Sequence, residues 1–506
     1  MQELYEGYSK KFTLGTVPRE EWDRLEKLGF NYIWLMGVWK RSGLGVRIFR
    51  ESPDWPPFRG YMDSILPGWK DHDVIGSPYS ISAYEPDPLI GSWEDVKNAR
   101  AELHRRGMGL ILDFVPNHTA PDHEWIFKHP DFYFTFTGGS LPPGLDPSSF
   151  TKINQNQKYV ARGKDPYYPA WGDTAQLNYF NPALRRAMVS QLKKIAGYCD
   201  GLRCDMAMLV IDDIFEKNWG DMARRLGAKS ERMSQTEFWA QARAALPGLV
   251  LIAEAYWDTE WRLMEMGFDY VYDKTLLDRL LHSSAQDLRL HLGADAGYQK
   301  KLVRFMENHD EQRSAAAFAP DRLRAAAVML ATLPGMKLFY HGQLEGIKVR
   351  TPVQLGRSVP EAPADGFLMQ AFYSRLLGIT SRDVFHEGRW RLKDVFPFSD
   401  GSYRNLIAYT WNPVSWRPAP EKSASRVKLI VVNFSPSWAQ GRVSLGDELE
   451  SDREYLLTDE LNGREYERRG EEITFAGLHV VLDGYQSHIF DIEPVSSQGD
   501  SQGRLS

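Results

Sequence analysis

Short apolar runs alternate with amphipathic segments from the start of the chain to about residue 383. Runs such as Asn31–Val38 and Gly109–Val115 are almost wholly apolar, as expected of strands that are buried on both faces of a sheet. Segments such as Pro18–Leu28 repeat apolar residues at helical spacing. Since these two patterns alternate, they predict an α/β fold with a parallel sheet covered by helices. The predicted strands lie near positions 32, 110, 202, 251, 270, 304 and 338.

Seven strands separated by helices favour a (β/α)8 TIM-type barrel, which needs one more strand. The missing strand should precede the helix that begins at Pro18. Met1–Leu14 is a poor candidate, because it contains Gly7 and the pair Lys10–Lys11. The first barrel strand is therefore unclear from the sequence.

Two long stretches depart from the α/β pattern. Residues 119–180 are rich in Pro, Gly, Asp and aromatic residues without a helical period, which predicts a small subdomain inserted after the third barrel strand. From Val384 onward, short segments separated by turns predict a C-terminal antiparallel β-sandwich. The end of the chain is rich in Ser, Gln and Gly, which is typical of disorder. The predicted organisation is a barrel in two parts, 1–118 and 181–383, the insert 119–180, the β-sandwich 384–493 and a tail, 494–506.

Two local predictions concern shorter stretches. Lys40–Leu89 holds many Gly, Pro and aromatic residues and is predicted as a long loop after an early barrel strand. Ile473–Phe475 is predicted as one of the strands of the C-terminal domain.

Charge and cysteine usage narrow the class of protein. The formal net charge is −6 and no basic block occurs, so nucleic acid is not an expected partner. No apolar run is long enough to span a bilayer, and Met1–Lys11 lacks the apolar core of a signal peptide. Cys199 and Cys204 bracket one strand, which is poor geometry for a disulfide. These features predict a soluble cytoplasmic protein, and they leave its oligomeric state unknown.

Four of the predicted strands end in polar residues that a core would reject. In a parallel barrel the carboxyl ends of the strands meet at one mouth, where catalytic groups lie. Singly, each such residue is more often a helix cap or a loop anchor, and an Arg–Asp pair on one strand face equally suits an internal ion pair. Four together predict a reactive cleft. Their stretches are Asp113–His118, Gly201–Asp205, Ile252–Glu254 and Glu307–Asp310.

Three carboxylates, an Arg and two His residues suit a substrate that develops positive charge. Cleavage of a glycosidic bond does so through an oxocarbenium-like transition state. It requires one carboxylate as nucleophile and one carboxylic acid as proton donor, about 5–5.5 Å apart in a retaining enzyme. An Arg beside the nucleophile favours its ionised form.

In this order and spacing, the four stretches resemble the signature regions of the α-amylase family of glycoside hydrolases. The resemblance covers most of the chain and implies that Asp205 is the nucleophile and Glu254 the acid/base. It implies that Asp310 stabilises the transition state and binds sugar hydroxyls.

The resemblance also implies a set of supporting residues. Arg203 would support the nucleophile, and Asp113 would belong to the substrate-binding residues. His118 and His309 would donate hydrogen bonds to the attacked sugar. Tyr79 would stack on that sugar, although its Ser-Pro-Tyr context departs from the usual Gly-Tyr-Asp and a loop-packing role remains an alternative.

Substrate choice is less defined. Many starch-cleaving members carry a Lys-His pair shortly after the nucleophile, whereas this chain has Met206–Leu209 there. We therefore expect a retaining α-glycoside hydrolase that acts on α-linked glucosides or maltooligosaccharides through a β-glycosyl-enzyme. The first alternative is an α-glucosyl or maltosyl transferase of the same family, and the second is an inactive carbohydrate-binding barrel.

No cofactor is expected to be required. The chain has no phosphate-binding Gly loop and no Cys/His zinc pattern. Some members of the family hold Ca²⁺ between the barrel and the insert, and Asn117 and Asp173 are compatible with such a site. The expected partner is an oligosaccharide substrate.

Overall fold

The computed structural model describes residues 12–138, 141–153, 158–228, 236–414 and 427–495. The chain divides into two compact units. The first runs to Asp273 and also includes Val349–Glu361, and the second comprises Lys274–Lys348 and the chain from Ala362 onward. The domain boundaries inferred from the sequence stay predictions.

A parallel sheet forms the centre of the first unit. Arg203 lies opposite Asp113 on one neighbouring strand and opposite Ile252 on the other. This register brings the polar ends of three strands to the same edge of the sheet. In both spatial and chain order, the strands are β1 (Tyr32–Trp34), β2 (Gly109–Phe114), β3 (Gly201–Cys204), β4 (Val250–Ala253) and β5 (Tyr270–Tyr272).

Helices occupy most connections between these strands. The helix that follows Ser92 shows why they begin where they do: the Ser92 hydroxyl accepts the backbone N–H of Asp95, whose carboxylate accepts the N–H of Ser92 in return. The α-helices of this unit are Arg19–Lys27, Gly43–Glu51, Trp55–Ile65, Trp93–His104, Trp125–Lys128, Pro182–Ala196, Asp212–Arg225, Phe238–Ala245 and Glu260–Glu265.

The prediction of a long loop over Lys40–Leu89 is wrong. The segment contains two helices, and strands Trp39–Arg41 and Ile81–Pro86 pair antiparallel at its ends. The Ser42 side chain caps the first helix, and the second carries its prolines at the N-terminus, where a missing N–H costs nothing. Aromatic side chains of this segment pack on one another. These side chains are Phe49, Trp55, Phe58 and Trp69.

The segment between β2 and the helix that begins at Pro182 forms small sheets of its own. His118–Thr119 pairs antiparallel with Ala175–Gln176. A three-stranded antiparallel sheet has the order Thr135–Thr137, Lys158–Ala161, Phe150–Lys152. The segment follows the second described strand of the parallel sheet. Residues 1–11, which hold most of the poor candidate for a first strand, lie outside the described residues.

The second unit contains the last two predicted parallel strands, β6 (Leu302–Phe305) and β7 (Met336–Leu338), which pair in parallel. All seven strands predicted from apolar runs are thus present. The α-helices of this unit are Lys274–His282, Ala285–Leu292, Ala296–Lys300, Ser314–Ala317, Pro320–Thr332, Gly366–Thr380, Val384–Glu387 and Gly470–Phe475.

The C-terminal part of the second unit is built from antiparallel β-sheets around an apolar core. Its six-stranded sheet has the order Arg389–Lys393, Leu406–Asn412, Val427–Asn433, Ser487–Pro494, Glu454–Asp459, Arg464–Arg469. Its three-stranded sheet has the order Val395–Phe396, Ala439–Val443, Leu478–Leu482. Side chains from both sheets share one core, which includes Val395, Leu406, Leu429, Val443, Val480 and Ile492.

The predicted strand at Ile473–Phe475 is wrong, because these residues end a short helix that begins at Gly470. Glu471 and Glu472 in the first turn favour the helix N-terminus, and only Gly470 and Ile473 of this helix are buried. Of the predicted tail, Pro494 still belongs to a strand, and residues 496–506 lie outside the described residues. Within the described ranges, we find no helix that is both long and apolar enough to cross a membrane.

Candidate active site

Arg203 is the centre of the candidate site in the first unit. Its side chain is 1% exposed, and its guanidinium bridges two carboxylates. Nη1 lies 2.6 Å from Oδ1 of Asp205, and Nη2 lies 2.8 Å from Oε2 of Glu254. Burial alone would lower the pKa of Arg203, but Glu254, Tyr79, Tyr272 and Asp205 together raise it well above its ordinary value. The guanidinium is therefore a permanent cation between the two carboxylates.

Three aromatic rings enclose this cation. The guanidinium carbon lies 5.3 Å from the ring centroids of Trp34 and Tyr79 and 5.7 Å from that of Tyr272. Cation–π attraction of this kind is strongest where water is excluded. The rings thus hold the guanidinium plane in place, and with it the positions of Asp205 and Glu254.

The backbone after β3 adds a second link between the two carboxylates. Met206 has a φ of +41°, in the left-handed region that is unusual for a residue with a side chain. Its N–H donates to Oε2 of Glu254 at 2.7 Å. The residue that directly follows Asp205 is thereby tied to Glu254, and strained backbone of this kind is concentrated at functional sites.

The two oxygens of Glu254 differ in their partners. Oε2 accepts from Met206 and faces the Arg203 cation, whereas Oε1 accepts from the Tyr256 hydroxyl at 3.1 Å. A proton on Glu254 therefore belongs on Oε1, because Oε2 faces a cation and an amide donor. A Tyr hydroxyl can also accept a hydrogen bond, so Tyr256 fits the protonated acid as well as the carboxylate.

We expect the Tyr256→Phe substitution to lower kcat/KM on maltotriose by about tenfold, the effect of losing one hydrogen bond to Glu254. The loss should be smaller on α-glucosyl fluoride, since fluoride departs without a proton. Steady-state kinetics on both substrates measures the difference. Equal losses on both would contradict a role in placing the proton.

Asp113 anchors the loop that follows β1. Its Oδ2 accepts the backbone N–H of Gly37 at 3.0 Å, and its Oδ1 lies 3.8 Å from Nη1 of Arg203. Gly37 has a φ of +72°, and a Cβ there would lie 2.7 Å from Pro78. Glycine is therefore required at this turn. Contact between Asp113 and a substrate stays a prediction.

His118 and Tyr79 are linked to each other in the first unit. A hydrogen bond joins His118 to the backbone of Tyr79, and the His118 ring lies 5.3 Å from that of Trp171. Burial lowers the pKa of His118 to about 4, and the hydrogen bond to Tyr79 only partly opposes this. His118 is consequently neutral above about pH 5, and a neutral imidazole can still donate one hydrogen bond.

This burial makes the contribution of His118 to stability depend on pH. The pKa of His118 is about 4 in the folded protein against an ordinary 6.5, so between these values only the unfolded chain binds the proton. The stability of the wild type therefore falls as the pH drops from 6.5 to 4, by about 3 kcal/mol from this residue.

The substitution His118→Asn removes this proton uptake. We expect the variant to have a lower free energy of unfolding than the wild type near neutral pH, because it loses buried contacts. We expect this gap in unfolding free energy to narrow by about 3 kcal/mol near pH 4. Urea unfolding followed by circular dichroism at several pH values measures the gap. A gap that stays constant over this range would show that His118 titrates normally.

His309 and Asp310 follow β6 in the second unit. Nε2 of His309 lies 3.0 Å from Oδ2 of Asp310, and the His309 side chain is buried while that of Asp310 is 49% exposed. The Asn308 side chain accepts the N–H groups of Asp310 and Glu311 at 2.8 and 2.9 Å, which fixes the turn. Asp310 thus presents a half-exposed carboxylate on a loop fixed by Asn308.

Two residues that flank this turn, Glu307 and Arg313, hold the same loop. Glu307 is fully buried, pairs with Nη1 of Arg313 at 2.9 Å and accepts the N–H of Ser314 at 2.6 Å. Arg313 also donates to the carbonyl of His341 at 2.8 Å. Glu307 is therefore a structural anchor.

Of the residues suggested for Ca²⁺, Asn117 already has a side-chain partner. Oδ1 of Asn117 accepts from Nε2 of Gln176 at 3.1 Å. Among the described residues, no group of three His, Cys, Asp or Glu side chains could hold a metal ion. Calcium binding stays a prediction, and no step proposed below passes through it.

Sequence reasoning missed three aromatic residues of the site. Trp34 ends β1, Tyr272 ends β5, and Tyr256 follows Glu254 by two positions. Trp34 and Tyr272 could have been predicted as site residues from their positions, because the ends of parallel strands line the mouth of a barrel.

Comparisons with known proteins agree with this architecture. The family model described as "Alpha amylase, catalytic domain" matches residues 19–361. The α-amylase 3 of Dictyoglomus thermophilum is 26% identical over 316 residues, which cover 58% of this chain and 57% of that protein. The maltase 1 of Drosophila virilis is 24% identical over 352 residues, which cover 58% of this chain and 54% of that protein. The chain thus aligns with little more than half the length of these relatives.

A solved structure extends the likeness to nearly the whole chain. The noncanonic maltogenic α-amylase of Thermotoga neapolitana superposes with a TM-score of 0.65 at 20% identity and covers 96% of this chain and 97% of that one. The chain belongs to the α-amylase family of glycoside hydrolases. The predicted fold class, a (β/α)8-type barrel with a C-terminal antiparallel β domain, is confirmed.

Proposed function

We propose that the protein hydrolyses α-glucosidic bonds in maltooligosaccharides or small α-glucosides by a retaining double displacement. The observation that carries this proposal is the buried Arg203, which contacts both Asp205 and Glu254. Two carboxylates held by one cation at adjacent strand ends supply a nucleophile and a proton donor in fixed relation. Family membership supports the same assignment.

In the first step an oxygen of Asp205 attacks the anomeric carbon, and the bond from that carbon to the leaving oxygen breaks. Glu254 gives its proton to the leaving oxygen, so the departing sugar is neutral. The product on the enzyme is a β-linked ester of Asp205. Arg203 keeps its proton throughout and neutralises the carboxylate before attack.

In the second step Glu254, now ionised, takes a proton from water. The hydroxide so formed attacks the anomeric carbon from the opposite face to Asp205 and breaks the ester bond. Asp205 is released as a carboxylate and Glu254 is again protonated. Two inversions give a product with retained α configuration.

His118 and Tyr79, both in the first unit, bind the attacked sugar in this proposal. The roles of Asp310 and His309 in the second unit stay the expectations that the family resemblance implies. His118 donates one hydrogen bond from its neutral imidazole. Tyr79 contributes a ring already placed by Arg203.

Short substrates are favoured over starch in this proposal. The short helical turn Ala207–Val210 follows the nucleophile and is wholly buried and apolar. It offers no charged group to the sugars of a long leaving chain. Action in the cytoplasm is also proposed, since Cys199 and Cys204 are free and buried.

Product analysis tests the reaction type. The purified protein is incubated with maltotriose, with and without added maltose as acceptor, and products are followed by chromatography and by proton NMR of the newly formed anomer. Early glucose and maltose, with the new anomer first in the α form, support retaining hydrolysis. Early products longer than maltotriose would point to the transferase, and no turnover would point to an inactive barrel.

A further inference from the structure

A second arginine lies beside the candidate site in the first unit. Arg41 ends a short strand and is paired in register with Ile81 of the antiparallel strand. Its backbone N–H donates to Oδ2 of Asp87 at 3.1 Å, and its carbonyl accepts from the Ser82 hydroxyl at 3.0 Å. The strand pair therefore fixes the point from which the Arg41 side chain extends.

The guanidinium of Arg41 is only partly compensated by its surroundings. Its Nε is buried and has no hydrogen-bond partner among the described residues. Burial lowers the pKa of Arg41, and the charge of Asp87 only partly opposes this. The two oxygens of Asp87 accept the backbone N–H groups of Arg41 and Leu89 at 3.1 and 2.9 Å. A cation taken out of water in this way costs free energy unless an anion meets it.

Arg41 lies close to the residues that surround Arg203. A Cβ at Gly37 would lie 3.0 Å from Nη2 of Arg41. The N–H of Gly37 donates to Asp113, whose Oδ1 lies 3.8 Å from Nη1 of Arg203. Tyr79 interacts electrostatically with both guanidinium groups. Tyr79 is thus near one arginine that two carboxylates compensate and near a second that lacks such compensation.

The chemistry of a guanidinium narrows what could meet Arg41 there. Its planar set of N–H donors matches the oxygens of a phosphate or a carboxylate, and such charge-assisted hydrogen bonds are about twice as strong as neutral ones. A neutral sugar hydroxyl gives only a single weaker hydrogen bond. Because Tyr79 binds the attacked sugar in the proposed function, an anionic group on that sugar is the ligand that fits Arg41 best.

We propose that Arg41 binds an anionic group at C6 of the attacked sugar. The preferred substrates are then α-glucosides whose attacked sugar carries a 6-phosphate or is a uronic acid. C6 is the exocyclic carbon of a hexose, and it is the position that can carry either group. This inference rests on the proposed function, since it names the substrate class of the same site.

The test compares three substrates that share one leaving group. They are p-nitrophenyl α-glucoside, its 6-phosphate and p-nitrophenyl α-glucuronide. We expect the wild type to show a kcat/KM at least about tenfold higher on one of the anionic substrates than on the neutral one, the effect of a charge-assisted hydrogen bond. In Arg41→Gln, the ratio of these two values should fall to near or below one.

Two further variants make the ratio specific to this cation. Arg41→Lys keeps the charge without the planar group and should retain part of the preference. The matched control is Arg47→Gln, which removes an exposed cation from the helix that begins two residues after Arg41 and should leave the ratio unchanged. Since each ratio is measured within one variant, partial unfolding lowers both of its values and leaves the ratio intact.

The outcomes separate this inference from the proposed function. A preference for the 6-phosphate or for the glucuronide that Arg41→Gln abolishes supports the inference and identifies the anion. If the wild type prefers the neutral glucoside, or if Arg41→Gln lowers all three values equally, Arg41 does not bind a substrate anion and the hydrolase assignment stands. If the wild type turns over none of the three substrates and no maltotriose, the proposed function fails and this inference fails with it.

Discussion

Replacing Asp205 by asparagine is expected to lower kcat on maltotriose by at least about 10⁴-fold, as removal of a covalent nucleophile does in other enzymes. The amide cannot form the glycosyl ester, and the uncharged side chain no longer balances Arg203. The fold should survive, because asparagine keeps the shape of the side chain and can accept from Nη1 of Arg203 at the same position. Steady-state kinetics together with circular dichroism measures both effects.

The matched control is Asp200→Asn, at the start of the same strand segment. Asp200 accepts from Arg100 at 2.5 Å, from His104 at 2.9 Å and from the N–H of Leu110 at 2.8 Å, so its role is structural. We expect Asp200→Asn to lower the thermal midpoint while kcat changes little. If Asp205→Asn kept a substantial part of the activity, or if Asp200→Asn lost as much, Asp205 would not be the nucleophile.

Replacing Arg203 by methionine is expected to destabilise the protein by about 3–5 kcal/mol, because it leaves the buried Asp205 carboxylate without its cation and removes the donor that contacts Glu254. The side chain of Asp205 is 9% exposed and that of Glu254 is 3% exposed, so water cannot replace the guanidinium. The aromatic rings around Arg203 also lose their cation. Urea unfolding near neutral pH measures the loss.

A triple variant distinguishes electrostatics from packing. If the cost arises from uncompensated charge, adding Asp205→Asn and Glu254→Gln to Arg203→Met should recover most of the lost stability, because no charge then remains buried. The free energy of unfolding of Arg203→Lys should lie between those of the wild type and Arg203→Met. The lysine ammonium restores the positive charge, but it lacks the planar guanidinium that reaches both carboxyl groups. A triple variant no more stable than Arg203→Met would assign the cost to packing alone.

The parallel strands could be predicted because a strand that is buried on both faces of a sheet consists almost entirely of apolar residues. β2 and β4 are such runs, and Arg203 stood out in β3 because a guanidinium in an apolar strand has to be paired. The register that places Arg203 beside Asp113 follows from strand order, and the sequence does not state that order.

Other features depended on contacts that no local pattern records. The two helices between Gly43 and Ile65 lie in a stretch rich in Gly and Pro, and the Ser cap and N-terminal prolines that begin them are also typical of turns. Ile473 has the β-branched side chain typical of strands, but acidic residues before it start a helix.

The surroundings of the site were the least predictable part. Tyr256 and Trp257 lie beyond the end of β4, where the path of the chain depends on left-handed backbone at Trp257. Met206 carries the same kind of conformation after β3. Non-glycine residues adopt the left-handed conformation where tertiary contacts hold them. The turns at Met206 and Trp257, and the hydrogen bond from Met206 to Glu254, could therefore not be inferred from residue types.

The most direct test of the central claim is to identify the residue that carries the glycosyl group. The protein is incubated with a fluorinated α-glucosyl fluoride that forms a long-lived glycosyl-enzyme, and the labelled peptide is located by mass spectrometry after proteolysis. We predict one sugar per chain, on Asp205, and no label in Asp205→Asn. A label on another carboxylate, or turnover of maltotriose with inversion and no label, would contradict the double displacement through Asp205.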